Sequence, residues 1–113
     1  PCINLSAYFG NDEFIYLENV NTIHEGNLKK LFTLNLITVL ETHGHDWSCL
    51  TYKTSNYLFP GESYIPNTIT VTTFPNSNKI EAEISLKKIK GLIDKDTIIC
   101  PGHGPMYKAS ELD

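Results

Sequence analysis

Two histidines stand in Thr42-His43-Gly44-His45-Asp46, at the end of an apolar run. A carboxylate follows in Phe59-Pro60-Gly61-Glu62-Ser63, and a third imidazole in Cys100-Pro101-Gly102-His103-Gly104-Pro105. Neutral imidazole is the commonest zinc ligand, and a carboxylate can bind one metal or bridge two. Each of these side chains sits in a glycine-bearing turn just past a strand-like run. Taken singly, each also reads as an ordinary polar loop. Histidine, glutamate and histidine at the ends of separate strands are what a zinc cleft needs. His45, Glu62 and His103 are therefore the metal-ligand candidates. His43 is the alternate, because in an extended segment it shares a face with His45. His24 lies in a polar connection and reads as a solvated side chain.

The turns depend on the elements before them. Phe14 to Leu17 is a compact aromatic and β-branched run, which suits a strand. Residues 28–42 have a mixed period. Asn27 could cap a helical turn through Leu28, Leu31 and Phe32, but the Thr, Ile and Val content of Leu34 to Thr42 favours a strand covered on both faces. Cys49 to Lys53 alternates, Thr54-Ser55-Asn56 turns, and Tyr57 to Phe59 returns as a second strand. Tyr64 to Asn78 reads as a long loop with room for a short strand at Ile69 to Thr72. Ile80 to Ile93 is the main helix: Ala82, Leu86, Ile89 and Ile93 form one apolar stripe. Asn76, Ser77 or Asn78 can cap it, and Lys87, Lys88 and Lys90 suit the negative end of its dipole. Thr97 to Cys100 is a short strand feeding the last turn.

The bulk composition excludes several classes. The 113 residues carry a net charge of −4, with 41% apolar and 19% charged residues. That describes a folded globular chain, one small domain or a piece of a larger one. With an isoelectric point near 5.5, neither nucleic acid nor an anionic membrane is an expected partner. The longest apolar run, Leu34 to Leu40, is too short to span a bilayer. The three cysteines, Cys2, Cys49 and Cys100, form no C-x-x-C pair. Reduced, inert thiols and a cytoplasmic location are the expectation.

The order of the three turns, with a helix before the last, resembles the C-terminal half of the metallo-β-lactamase-fold hydrolases. Members of that superfamily commonly read T-P-G-H-T-P-G-S, then F-T-G-D, then P-G-H-G-P. The resemblance spans about Ile23 to Tyr107. It implies an α/β chain forming the second half of an αβ/βα sandwich, with a mixed sheet and one main helix over about 80–93. It also implies that His45 completes a first zinc site, that Glu62 stands where an aspartate bridges two metals, and that His103 binds the second metal. His43 departs from the usual Pro, Asp46-Trp47-Ser48 from Thr-Pro-Gly, and Glu62 is one methylene longer than Asp. The H-x-H-x-D-H motif that supplies the remaining ligands is absent from residues 1–113.

The expectation is a partial domain carrying an incomplete zinc site. Its complete form would hydrolyse an ester, lactone, thioester or similar bond of a small molecule, and the chain alone would be a poor enzyme. A half-sandwich leaves an apolar sheet face for self-association, as a dimer, or for the missing N-terminal half. The alternative is a non-catalytic relic or interaction domain. No organic cofactor is implied.

Overall fold

β-Branched and aromatic residues recur in the strands, and among the described residues one capped α-helix lies on one face of the sheet they form. The computed structural model describes residues 28–32 and 35–112. Its elements are β1 (Leu28–Phe32), β2 (Asn35–Glu41), β3 (Leu50–Thr54), β4 (Tyr57–Gly61), α1 (Lys79–Lys90), β5 (Ile98–Pro101), β6 (Tyr107–Lys108) and a 3-10 turn at Ala109–Glu111. The strands form one mixed sheet in the order β1-β2-β3-β4-β5-β6. Only β4 and β5 run parallel; the other neighbours are antiparallel. A parallel pair needs a long crossover, and α1 provides it. The strand expected at 14–17 lies outside the described residues.

Burial alternates along β4. Leu58 and Pro60 are buried, whereas Tyr57 and Phe59 are exposed. Leu58 joins Ile89 of α1 and Ile99 of β5 in a fully buried cluster, flanked by Tyr64, Leu92, Tyr107 and Leu112. Each such aliphatic side chain contributes roughly 2 kcal/mol. On β2, Val39 is buried on one face and Leu40 half-buried on the other, matching the expected two-sided strand. The helical turn considered for Leu28 to Phe32 is instead β1, paired antiparallel with β2. Ladder pairing with a strongly strand-forming neighbour outweighs a short helical spacing there.

Between Leu58 and Gly61, β4 uses one more residue than β5 does. Pro60 lies in that bulge, where its missing N–H costs the ladder nothing. The bulge and the left-handed Gly61 (φ 56°) turn the chain at the point where Glu62 leaves the sheet.

Asn78 caps α1, its Oδ1 accepting the Glu81 amide at 3.0 Å. The helix ends at Lys90, earlier than Ile93, because Gly91, Leu92 and Ile93 turn back onto the carbonyls of Lys87, Ile89 and Lys90. Its buried stripe is Ala82, Ser85 and Ile89, with Ser85 in the place expected of Leu86. Residues 69–72 carry no strand; they run as irregular chain over α1. Among the described residues no helix is long and apolar enough to cross a membrane.

Candidate metal site

The turn after β2 is held from both sides. Thr42 donates its amide to the Cys49 carbonyl at 3.1 Å. Its hydroxyl meets that of Thr51 at 2.8 Å, and its carbonyl accepts from Ser63 Oγ at 2.8 Å. Both threonines are fully buried, so their hydroxyls satisfy each other where water cannot. Three successive carbonyls then face the start of α1. His43 O accepts from Ser85 Oγ at 2.6 Å, Gly44 O from the Asn78 amide at 2.7 Å, and His45 O from Ser77 Oγ at 2.6 Å. Gly44 has φ 139°, and a Cβ there would lie 2.3 Å from Ala82 Cα. Only glycine permits this approach.

That backbone separates the two histidines. His43 lines a shallow cleft with Glu41 and with Glu81, Ile84, Ser85 and Lys88 of α1. His45 turns to the 64–78 segment, with Nδ1 at 2.8 Å from the Val71 carbonyl and its ring edge-on to Phe74 at 5.5 Å. A carbonyl only accepts, so Nδ1 carries the proton and the neutral ring presents the Nε2 lone pair. This is how metal-binding imidazoles are commonly oriented. Beside it, burial alone would raise the Asp46 carboxyl. The Ser48 hydroxyl and amide, at 2.7 and 2.9 Å, outweigh that, with help from Asn76 and His45, and hold it below its usual value.

Glu62 and His103 meet across the ends of β4 and β5. Gly61 pairs with Pro101, and the Gly102 amide donates to the Gly61 carbonyl at 2.9 Å. The two turns are thereby locked side by side, and His103 Nδ1 hydrogen-bonds Glu62 Oε1. Gly102 lies beneath the carboxylate, where an added Cβ would be 2.6 Å from Oε1. Gly104, with φ 82°, completes the bend between Pro101 and Pro105. The Glu62 side chain is 29% exposed and that of His103 79% exposed, so the pair faces solvent. Burial raises the Cys49 and Cys100 thiols, Cys49 despite hydrogen bonds from Asp46 and Ser63, and both are free.

Of the four candidates, Glu62 and His103 touch, His45 is fixed by Val71 and Phe74, and His43 lies against α1. Among the described residues no group of three or more His, Cys, Asp or Glu side chains could hold a metal ion. The donors are of the right chemical type, but they fall short of the three protein ligands a catalytic zinc requires. Of the supports around them, Val71, Phe74 and Ser85 were not singled out in the sequence, and Ser77 only as a candidate helix cap. A backbone carbonyl and small hydroxyls give no spacing signal.

No protein-family model and no curated protein matches the chain. Solved structures do. TTHA1623 in a di-iron-bound form superposes with a TM-score of 0.75 at 22% identity, over 91% of this chain and 50% of that one. ETHE1 from Myxococcus xanthus gives 0.66 at 24% identity, over 77% and 37%. The BLEG-1 B3 metallo-β-lactamase gives 0.63 at 20% identity, over 89% and 45%. An archaeal metallo-β-lactamase superfamily protein from Sulfolobus tokodaii, ST1585, gives 0.65 at 21%, over 92% and 41%. The chain thus spans half or less of the length of each. Its α+β mixed sheet with one main helix has the metallo-β-lactamase fold.

Proposed function

We propose that this chain is the second half of a zinc-dependent hydrolase and contributes His45, Glu62 and His103 to a metal centre completed by ligands outside the described residues. The observation that carries this is the Glu62–His103 contact, built by two glycine turns locked together at the ends of adjacent parallel strands. Superposition on a di-iron-bound protein and a metallo-β-lactamase supports a metal role in general. Histidine and carboxylate donors suit zinc, the metal assigned on this reading, and they suit iron as well. In the complete protein the metal supplies Lewis acidity toward an ester, lactone or thioester carbonyl.

The chain's own part is positional. Val71 fixes the tautomer of His45, and Glu62 fixes that of His103, so each ring keeps Nε2 as a lone-pair donor. The described residues hold too few converging ligands for catalysis. Expressed with an upstream segment bearing H-x-H-x-D-H, it should hydrolyse lactone or thioester substrates; an upstream coding sequence without that motif would overturn the assignment.

A second reading is an interaction domain that has lost metal chemistry. The shortage of converging ligands favours it, as does the outer face of β4. Tyr57 and Phe59 stack there at 6.4 Å and 23°, 44% and 41% exposed. Exposed stacked aromatics are good anchors for a partner, which on this reading is a second copy or the other half of the sandwich.

A further inference from the structure

We propose that the cavity between the 64–72 segment and α1 binds an amphipathic carboxylate of the medium-chain fatty-acid type. The cavity measures about 450 Å³, within the size range of small-molecule sites. None of His43, His45, Glu62 or His103 lines it. On the helix side its wall is Lys79, Ala82, Glu83, Leu86 and Lys90, a stripe that shares only Ala82 with the buried one. Across from it stand Tyr64, Pro66 and Ile69, with Leu112 completing the apolar lining.

Two features point to an occupant. Ile69 is 92% exposed, an isoleucine that an apolar ligand lying in the cavity would cover. Leu86, expected in the core, is only half-buried and faces the cavity instead. Charge selects the head group. The side-chain ammonium groups of Lys79 and Lys90 have no hydrogen bond or ion pair among the described residues, against one wall carboxylate, Glu83. The lysines lie about 16 Å apart along the helix at about 1.5 Å per residue, with Ala82 and Leu86 between them. A single anionic head at either end with an apolar tail along that floor satisfies the arrangement, whereas a cationic head does not.

This inference is independent of the hydrolase reading. The test is titration of the 113-residue chain with decanoate, followed by calorimetry and by methyl NMR, with decyltrimethylammonium as the control of opposite charge. Saturable one-to-one binding is expected, with shifts centred on Ile69 and Leu86. The Lys79→Gln/Lys90→Gln variant should weaken it about tenfold, as should Ile69→Asp, and the ammonium amphiphile should bind at least about tenfold less tightly. All three positions lie on the surface, and unchanged circular dichroism checks the fold. His103→Ala should leave decanoate binding unaltered while removing the candidate metal ligand. Non-saturable uptake, equal affinity for the cationic amphiphile, indifference to the substitutions, or shifts centred on Tyr57 and Phe59 would each overturn the proposal.

Discussion

The Gly44 carbonyl accepts the Asn78 amide at 2.7 Å, so the turn presenting His45 and the residue capping α1 share one hydrogen bond. Because Gly44 also lies against the Ala82 backbone, the position of His45 depends on the docking of the helix. Gly44→Ala should therefore destabilise the fold by about 2 kcal/mol or more, from the left-handed φ together with the overlap. Urea unfolding measures this, and an unchanged midpoint would show that the turn does not bear on α1.

Ser85 is the polar member of an otherwise apolar stripe because the His43 carbonyl needs a donor there. Ser85→Ala should cost about 1–3 kcal/mol by leaving that carbonyl unpaired. The exposed Glu62–His103 pair should behave differently. Glu62→Gln and His103→Ala should each change stability by less than about 1 kcal/mol. A role in ligation would appear in metal affinity, and a large stability loss would mark the pair as structural.

Among the described residues four groups shape the pH profile of stability: Asp46, Cys49, Cys100 and Tyr64, whose phenol burial raises. Asp46 is held below the ordinary carboxyl value of 3.8, so its contribution is present above that pH and fades as pH falls. Cys49 and Cys100 are raised above 9.0 by burial. Their contribution is present below pH 9 and is lost as pH rises through the higher folded values. Native-state alkylation at neutral pH should accordingly be slow at both thiols and speed up on unfolding; rapid modification of folded protein would contradict it.

The stacked Tyr57 and Phe59 lead to a test of self-association. Light scattering should show mass rising with concentration, and Phe59→Ser should suppress the rise without altering circular dichroism. A concentration-independent monomer would count against a second copy as the occupant of that face.

Much of this was legible in the residues, for identifiable reasons. Two-residue alternation marked β3, the turn at Thr54-Ser55-Asn56 marked β4 as its return strand, the spacing of Ala82 and Ile89 marked α1, and Asn78 was among the expected caps. Glycines beside Glu62 and His103 marked turns that the structure does bring together. β1 was hidden because Leu28, Leu31 and Phe32 also fit a helical spacing, and only pairing with β2 decides between the two. β6 is two residues long, too short to carry a period. The separation of His43 from His45 was not visible either, since it rests on Gly44 adopting φ 139° against Ala82, a contact between residues far apart in the chain.

Zinc titration of the purified 113-residue chain against a chromophoric chelator tests the partial metal site most directly. Weak binding is expected, with a dissociation constant of about 10 μM or higher, since two or three donors without the remaining ligands give no closed site. Glu62→Gln and His103→Ala should weaken it further. Stoichiometric zinc that survives dialysis against a strong chelator would contradict the account, because these residues would then be a whole site.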